Sequence, residues 1–376
     1  MPSCKTLHVP ALRLANRMLS TPSPRRRTRA ETQAAGAPLI AGPARVLVTG
    51  GAGFIGSHLC AELLRRGHAV HVIDDLSTGR LENLAEVVSH AMLRTTVASV
   101  ADPAVAARAC EDADVVLHLA GVVGVRRLAR EPLEVMQRNL RCTEVIVAAA
   151  AAAGVPLLLT SSSEVYGDGP VPFREQDPVR PGATEGLRGG YACAKAMGEW
   201  LAFGHAQQSG MPVVIARLFN TVGPRQSGEG GMVLPRFVAQ ALRGEPITVY
   251  GSGEHTRCFA HVAEVVRALA DLAEAPNARG CVFNVGSAVE TTVRDLALLV
   301  RDRAGSRSPI VLVPFAEVFP TGFADPPRRL PCLERLARVI GWVPKRPLVS
   351  IVDELIELAR SRTEAEAVLT QAGCRV

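Results

Sequence analysis

The stretch Arg45-Val46-Leu47-Val48-Thr49-Gly50-Gly51-Ala52-Gly53-Phe54-Ile55-Gly56 determines how the rest of the chain is interpreted. Its first residues are apolar or β-branched and predict a buried strand, and the glycines predict a turn that opens a helix at about Ser57. In such a turn Gly50 permits the reversal, Gly53 lets the backbone approach a pyrophosphate, and Gly56 lets the helix lie close to the sheet. The free N–H groups and the positive dipole end of this helix favour phosphate binding.

A second predicted strand, 69–73, ends at Asp74, which follows the glycines by about 20 residues. In a dinucleotide-binding unit, an acid at this position binds the hydroxyl groups of the adenosine ribose and favours NAD over NADP. The sequence therefore predicts NAD as the cofactor.

The composition limits the classes of partner. A chain of 376 residues can bury a large core, and its 48% hydrophobic and 21% charged content is ordinary for a soluble α/β protein. Aromatic residues make up only 4%, too few to predict base-stacking platforms for nucleic acid. The net charge is +6, but much of it precedes residue 30, so the remaining body is close to neutral and predicts no nucleic-acid partner.

Residues 1–43 predict a disordered basic leader, because they are rich in Pro, Ser, Ala and Arg without a sustained period. An Arg-rich segment that lacks acids before residue 30 also fits an organellar transit peptide or a basic arm that contacts nucleic acid. We favour a solvated tail over both.

The nine cysteines are scattered and odd in number, and the sequence contains no CxxC pair and no HExxH helix. This pattern predicts reduced thiols in a cytoplasmic protein and no metal site. The sequence also lacks an apolar run of membrane-spanning length, so we expect no membrane partner.

From Val46 onward, short apolar strands alternate with helical segments, which predicts an α/β fold with a Rossmann-like doubly wound parallel sheet. We expect strands at 46–49, 69–73, 115–120, 157–162, 213–218 and 281–285, and helices at 57–66, 103–110, 133–153 and 191–209. The expected organisation is an NAD-binding domain, 44–220, to which elements from about 258–300 return. A smaller C-terminal α/β substrate domain, 221–257 and 306–360, and a tail, 361–376, complete it.

Two groups of polar residues that could carry out catalysis follow the glycine turn along the chain. Ser161-Ser162-Ser163-Glu164 ends an apolar strand and places hydroxyl groups and a carboxylate at its carboxyl end. Tyr191 and Lys195 are four residues apart and share a helix face. A lysine ammonium beside a phenol favours the phenolate, so we expect the pKa of Tyr191 to lie below its ordinary value and Tyr191 to act as a base.

Together these motifs resemble the extended short-chain dehydrogenase/reductases, and more narrowly the NAD-dependent nucleotide-sugar epimerase/dehydratase family. The resemblance covers about residues 45–360 and includes the His118-Leu119-Ala120 strand end, Arg217 to Arg225, and Thr256-Arg257-Cys258-Phe259. It implies a tightly held NAD that cycles within one turnover and a 4-keto sugar formed by Tyr191, Lys195 and Ser162. The cofactor contacts that it implies are Gly50, Gly53, Phe54, Ile55, Gly56, Asp74, Ser99, Ala120, Tyr191 and Lys195.

The resemblance also implies a UDP-sugar substrate, whose diphosphate contacts Asn220 and Arg257. Sugar 4,6-dehydratases carry an Asp-Glu pair where this chain has Ser163-Glu164, which argues against dehydration. UDP-glucuronate decarboxylases resemble this chain at Glu164 and in an arginine shortly before a proline, here Arg329, which would bind the substrate and act in catalysis. We therefore favour a UDP-glucuronate decarboxylase of the UDP-xylose-forming type; a UDP-hexose 4-epimerase and a catalytically silent NAD-binding protein are the alternatives.

Further expectations concern departures from the family and its assembly. Many relatives carry an acid near Ser99 to bind adenine, and this chain has none there. His118 is expected to be structural. The family usually forms dimers through helices corresponding to 133–153 and 191–209, so we expect a homodimer.

Overall fold

A computed structural model describes residues 36–184, 186–228, 230–319 and 325–371, without the side chains of Leu187 and of residues 362–371. Thirteen strands occur in these residues: β1 Arg45–Thr49, β2 Ala69–Asp74, β3 Leu93–Val97, β4 Val115–His118, β5 Leu157–Ser162, β6 Val213–Leu218, β7 Thr221–Val222, β8 Ile247–Tyr250, β9 Thr256–Cys258, β10 Ala260–His261, β11 Cys281–Val285, β12 Glu290–Thr292 and β13 Ile310–Val313.

The α-helices of the described residues are α1 Phe54–Arg65, α2 Pro103–Glu111, α3 Val125–Arg130, α4 Pro132–Ala153, α5 Leu187–Ser209, α6 Val233–Leu242, α7 Val262–Glu274, α8 Val293–Arg303, α9 Phe315–Val318, α10 Glu334–Ile340 and α11 Leu348–Gln371. Single 3₁₀ turns lie at Leu81–Leu84 and Ser163–Tyr166. Within the described residues, no helix combines the length and the apolar character that crossing a bilayer requires.

Seven parallel strands form the central sheet in the order β3-β2-β1-β4-β5-β6-β11. The strand order reverses between β1 and β4, where Thr49 lies beside His118 in the register. Helices cover both faces, and this confirms the predicted doubly wound α/β fold. Because parallel strands buried on both faces need continuous apolar runs, the apolar sequence of β1, β4 and β5 is explained by their central position.

The chain has three main hydrophobic cores. One face of the sheet packs against α1, α7 and α10, and the other packs against α2, α4 and α5. A third core lies away from the sheet, where α6, α8 and α11 pack around β8. Elements from about 258–300 were expected to return to the NAD-binding domain. Helix α8 does not follow this expectation, because its apolar residues Val293, Leu296 and Val300 pack in the third core.

The prediction of a disordered leader is wrong for its last residues. Leu39 and Ile40 lie within the segment 1–43 that we expected to be disordered, yet both side chains are buried in the sheet core. The Ile40 N–H donates to the Ala273 carbonyl at 2.8 Å, so this segment is attached to the end of α7. Residues 1–35 lie outside the described residues. At the other end, α11 extends to Gln371 and takes in most of the expected tail.

Several predicted boundaries also shift. Strand β3 was not predicted, because it lies at the sheet edge and its half-exposed sequence Leu-Arg-Thr-Thr-Val lacks an apolar run. Helix α1 begins at Phe54 rather than at Ser57, and β4 ends at His118 rather than at residue 120. Helix α5 begins at Leu187, four residues earlier than expected. This last shift adds residues of α5 to the site described next.

Candidate active site

A cleft of about 780 Å³ runs along the carboxyl ends of the central strands. It lies at the reversal of strand order between β1 and β4, where open α/β sheets bind their ligands. The structure brings all the predicted site residues to its walls: Gly50, Gly53, Phe54, Ile55, Gly56, Asp74, Ser99, Ala120, Ser162, Glu164, Tyr191, Lys195, Asn220, Arg257 and Arg329.

The glycine turn is built so closely that side chains are excluded from it. Gly50 has a φ of +71°, and a Cβ there would lie 2.8 Å from the backbone of Ala120. A Cβ on Gly56 would lie 2.1 Å from the Gly50 carbonyl oxygen. Helix α1 therefore starts directly against the turn, and its unpaired first-turn N–H groups lie at the cleft. This geometry fits the pyrophosphate of a dinucleotide.

Asp74 supports this turn from the end of β2. Its carboxylate accepts the Ala52 N–H at 3.0 Å and the Leu76 N–H at 2.9 Å. Burial raises the pKa of Asp74, and these backbone hydrogen bonds oppose that shift. Ser99 borders the same end of the cleft, and its Oγ accepts the Ala101 N–H at 3.3 Å. Asp74 therefore joins the glycine turn to the end of β2 and lines the cleft.

Tyr191 and Lys195 lie on one face of α5, and both are about nine-tenths buried. Ser162 hydrogen-bonds with the Tyr191 hydroxyl. Lys195 Nζ donates to the Thr160 carbonyl at 3.2 Å, and burial lowers the pKa of Lys195 to about 8. Ser162, Tyr191 and Lys195 therefore meet at the end of β5.

The expected lowering of the Tyr191 pKa is wrong. Burial raises the pKa of Tyr191, and the charge of Glu164 raises it further. The hydrogen bond with Ser162 and the charge of Arg329 act in the opposite direction but do not prevail. Lys195 is not among the groups that shift the Tyr191 pKa, and its Nζ donates to the Thr160 carbonyl.

His118 is a buried bridge below these groups. Its Nδ1 lies 2.7 Å from Thr49 Oγ1, and its Nε2 lies 3.2 Å from Thr143 Oγ1. Burial and the charge of Lys195 lower the pKa of His118 to about 3, so the ring is neutral near pH 7. His118 thus joins β1 to α4 beneath the cleft.

At one side of the cleft, three arginines surround two carboxylates; we call this group the arginine–carboxylate cluster, and it consists of Glu164, Arg188, Arg257, Asp325 and Arg329. Arg329 Nη1 donates to Glu164 Oε1 at 2.5 Å and Nη2 to Asp325 Oδ1 at 3.3 Å. Arg257 also pairs with Asp325. All five side chains are at most 16% exposed, so water screens their charges poorly.

The charges in this cluster hold one another ionised. Arg329 and Arg188 lower the pKa of Glu164 to about 2 although burial opposes them. Arg188, Arg329 and Arg257 likewise lower the pKa of Asp325. Burial and the neighbouring arginines lower the pKa of Arg257 to about 10, which leaves it charged at neutral pH. Three guanidinium groups and two carboxylates leave one positive charge without a partner inside the cluster.

Sequence reasoning missed Arg188, because α5 was expected to begin only at residue 191. A usable signal was its spacing, since a residue three positions before Tyr191 lies on the same face of a continuous helix. The two glycines between them lower helix propensity and hid the helix start. Asp325 was not named among the predicted site residues, and the structure places it between three arginines.

A second basic group, also missed, lies elsewhere along the cleft. Arg126 Nη2 donates to the Tyr250 hydroxyl at 2.9 Å, and the guanidinium carbon of Arg236 lies 4.0 Å from the centre of the Tyr250 ring. Arg236 Nε is buried without a hydrogen-bond partner among the described residues. Burial lowers the pKa of Arg236 to about 10, so it still carries its charge at neutral pH. These arginines favour an anionic ligand, and Asn220 lies along the same cleft.

The comparison with known families fits this arrangement. The family model described as NAD dependent epimerase/dehydratase matches residues 46–286, which is more than half of the chain. The chain belongs to the NAD-dependent epimerase/dehydratase family. NAD is the cofactor of this family, and the glycine turn, Asp74 and the Tyr191–Lys195 pair fit it by the geometry given above. Within the described residues, no group of three His, Cys, Asp or Glu side chains is placed to hold a metal ion.

Several epimerase/dehydratase family members are close in sequence. The UDP-N-acetyl-alpha-D-glucosaminuronate decarboxylase of Bacillus cytotoxicus is 38% identical over 302 residues, which cover 80% of this chain and 92% of that protein. UDP-glucuronic acid decarboxylase 1 of Danio rerio is 34% identical over 323 residues, which cover 86% of this chain and 74% of that protein.

Solved structures of the epimerase/dehydratase family share the fold. The UDP-glucose 4-epimerase of Thermotoga maritima, determined with UDP-glucose, superposes with a TM-score of 0.76 at 29% identity and covers 85% of this chain and 99% of that one. The UDP-glucose 4-epimerase of Thermus thermophilus, determined with NAD, gives a TM-score of 0.72 at 29% identity and covers 83% and 98%.

Proposed function

We propose that this chain decarboxylates a UDP-linked hexuronate through a 4-keto intermediate, with UDP-glucuronate as the favoured substrate. The observation that carries the proposal is the arginine–carboxylate cluster, which lies in the same cleft as Tyr191 and holds three guanidinium groups for two carboxylates. A carboxylate on the sugar would find a guanidinium group there, whereas a neutral hexose offers these arginines no negative charge. The sequence similarity to two kinds of uronate decarboxylase supports the same class.

The residues around Tyr191 account for the first chemical step. Bound NAD supplies reversible hydride transfer at the sugar C4. Tyr191 would take the proton of the 4-hydroxyl group, and Ser162, which hydrogen-bonds with the tyrosine, would keep the two oxygens aligned. Because burial raises the pKa of Tyr191, formation of the phenolate depends on the groups that oppose this shift, which are Ser162 and the charge of Arg329. The result is a 4-keto sugar.

The arginine–carboxylate cluster accounts for the second step. A 4-keto uronate is a β-keto acid, so the bond between C5 and the carboxyl carbon can break while its electron pair moves to the ketone oxygen. The hydroxyl groups of Ser162 and Tyr191 would donate to that oxygen as its negative charge develops. Arg329 would hold the carboxylate before carbon dioxide leaves, since its guanidinium fork matches a carboxylate. A proton would then add to C5, and Tyr191 would return its proton to the C4 oxygen as the hydride goes back to C4, which restores the 4-hydroxyl group and the oxidised cofactor.

A second group of basic residues lines the cleft apart from the arginine–carboxylate cluster. Arg126 and Arg236 meet the phenol of Tyr250, and Arg236 Nε is buried without a partner among the described residues. We propose that these arginines, with Asn220, receive the diphosphate. Arg257 was also expected to contact the diphosphate; it pairs with Asp325 in the arginine–carboxylate cluster, and its contact with the diphosphate stays a prediction.

A test of this function uses the full chain with NAD and, separately, UDP-glucuronate, UDP-N-acetylglucosaminuronate and UDP-glucose. Mass spectrometry should show loss of carbon dioxide from a uronate. Arg329→Gln should abolish the loss, because Arg329 is buried and bonded to Glu164. The matched control is Arg328→Gln, which removes the neighbouring arginine, half-exposed and paired with Glu290 at 2.6 Å. Arg328→Gln should leave the rate within about twofold of the unmodified chain, as is usual for exposed ion pairs.

Two other outcomes would replace the proposal. Inversion at C4 of UDP-glucose without a change of mass would establish a 4-epimerase, the function carried by the superposed Thermotoga maritima enzyme. Binding of NAD without turnover of any of the three sugars would establish a silent NAD-binding protein.

We also propose that the chain forms a homodimer through α4 and α5. Leu133 on α4 and Met197 and Trp200 on α5 are 62%, 43% and 60% exposed, an unusual exposure for large apolar side chains. Burying them against a second copy would remove this surface from water. Light scattering should give twice the chain mass, and Trp200→Glu should give the single-chain mass.

A cytoplasmic location is our proposal as well. The support is that all seven described cysteines are unpaired: Cys60, Cys110, Cys142, Cys193, Cys258, Cys281 and Cys332. Reduced thiols are typical of the cytoplasm. Fractionation of cells that express the full chain tests this location.

A further inference from the structure

Arg188 bonds both carboxylates of the arginine–carboxylate cluster with all three of its side-chain nitrogens. Nε donates to Glu164 Oε2 at 2.9 Å and Nη2 donates to Glu164 Oε1 at 2.7 Å, so Arg188 and Glu164 form a bidentate ion pair. Nη1 donates to Asp325 Oδ1 at 2.6 Å. Bidentate arginine–carboxylate pairs are strong and geometrically specific. Glu164 and Asp325 are therefore held at a set distance from each other by Arg188.

Arg329 is bound to the same two carboxylates less completely. It makes one short bond to Glu164 Oε1, at 2.5 Å, and a long one of 3.3 Å to Asp325 Oδ1. Both acceptor oxygens already bind Arg188. Arg329 can therefore leave this position without depriving either carboxylate of its cation, because Arg188 binds both. Loss of Arg188 would leave Glu164 with Arg329 alone among the arginines of the cluster, while Asp325 would keep Arg257 and Arg329.

We propose that Arg188 is a positioning residue that keeps Glu164 and Asp325 paired while Arg329 turns to the substrate carboxylate, and that it thereby sets the preference for a uronate over a neutral hexose. This inference rests on the proposed function. With Arg188 present, the cluster holds three arginines for two carboxylates, so Arg329 can bind the substrate. Without it, two arginines face two carboxylates, no charge is in excess, and Glu164 competes with the substrate for Arg329.

The packing of α5 explains how Arg188 is held. A Cβ on Gly190 would lie 2.1 Å from Met136 Sδ, and a Cβ on Gly189 would lie 2.5 Å from the Pro181 carbonyl oxygen. The first turn of α5 is thus pressed against α4 and the preceding loop. Arg188 precedes Tyr191 by three residues, so one helical turn presents both side chains to the cleft. We call the binding of Glu164 and Asp325 by Arg188 the clamp.

The clamp also predicts that the pH dependence of the rate changes when Arg188 is replaced. The charged and titratable groups that face Glu164 are Arg188 and Tyr191 from α5, and Asp325 and Arg329 from the segment after residue 324. Removing Arg188 takes away part of the positive charge that keeps the pKa of Glu164 low, while Asp325 still raises it. The Glu164 pKa rises, so the acid limb of the rate profile moves to higher pH.

The test measures the dissociation constants of UDP-glucuronate and UDP-glucose by calorimetry on the full chain with NAD, and the kcat and KM for UDP-glucuronate. Arg188→Met should weaken uronate binding at least tenfold, about 1.4 kcal/mol, and change UDP-glucose binding less than about twofold. Arg188→Lys keeps the charge but not the fork, so its preference should lie between the two. Arg328→Met, beside the cluster but paired with Glu290, should match the unmodified chain.

The outcomes separate the clamp from the proposed function. If Arg188→Met folds and keeps the unmodified preference for the uronate, the clamp is refuted even when the unmodified chain releases carbon dioxide. If Arg188→Met does not fold, Arg188→Lys decides, because an unchanged preference refutes the clamp and a reduced one supports it. A chain that binds but never decarboxylates a uronate refutes the proposed function, while the two binding constants still test the clamp.

Discussion

Replacing Gly56 by alanine tests the geometry of the cofactor turn. The new Cβ would lie 2.1 Å from the Gly50 carbonyl oxygen and 2.8 Å from Gly51 Cα. All of these obstructing atoms belong to the backbone, so no side chain can rotate to make room. The start of α1 must therefore retreat by roughly 1 Å, and overpacking of this kind costs about 1–3 kcal/mol in the free energy of unfolding.

The same retreat weakens cofactor binding. Hydrogen bonds from the first-turn N–H groups of α1 to a phosphate would lengthen from about 2.9 Å to about 3.9 Å and be lost. A hydrogen bond to a charged group contributes about 1.5–3 kcal/mol, so the NAD affinity of Gly56→Ala should fall about ten- to a hundredfold. Calorimetric titration with NAD measures this change, and thermal unfolding measures the loss of stability.

The matched control is Gly204→Ala. Gly204 lies in α5, is exposed, and has no atom within 4 Å of a built Cβ. Alanine there should stabilise the chain by about 0.5–1 kcal/mol and leave NAD binding unchanged. If Gly56→Ala binds NAD within twofold of the unmodified chain and unfolds at the same temperature, the close approach of α1 to the turn is refuted.

Three further predictions follow from buried groups. Tyr191→Phe should lower turnover about 10²- to 10⁴-fold while NAD binding stays within twofold, and unchanged turnover in a mass assay would contradict its role as the base. Arg217→Met should lower the free energy of unfolding, measured in urea, by about 3–5 kcal/mol. The reason is that it leaves the buried Glu199, which Arg217 binds at 2.7 and 2.9 Å, without its cation. Adding Glu199→Leu should recover most of the lost stability, and no recovery would argue against an isolated pair. His118 has a folded-state pKa of about 3 against an ordinary 6.5, so the unfolded chain binds the proton first. Its contribution to stability is complete above pH 6.5 and declines on acidification towards pH 3 by up to about 1.4 kcal/mol per pH unit. His118→Asn should reduce that slope in urea unfolding measured across this window, and an identical slope would show that His118 is not the responsible group.

The sheet and the cofactor turn could be predicted because their signals are local. The apolar run of β1, the glycines and Asp74 lie within one strand–turn–helix–strand unit, where backbone conformation and period decide the outcome. The edge strand β3 could not be predicted, since one neighbour and a half-exposed surface impose no apolar pattern. Leu39 and Ile40 are too few to show a period, and only α7 provides the surface that buries them.

The site divides in the same way. Tyr191 and Lys195 are four residues apart on one helix, so their spacing alone predicted that they would meet at the cleft. Glu164 and Arg329 were inferred from short resembling motifs, and the structure adds a direct bond between them across 165 residues of chain. Arg188, Arg126 and Arg236 carried no motif and were found only in three dimensions.

The sequence by itself determined the parallel sheet, the NAD turn and the identity of the residues at the end of β5, because each depends on interactions between near neighbours in the chain. The tertiary structure alone decided which charges meet. Arg188 from α5, Glu164 after β5 and Asp325 from the C-terminal part come together only when the fold closes. Their ionisation, like the raised pKa of Tyr191, depends on burial and distance, which no linear spacing encodes.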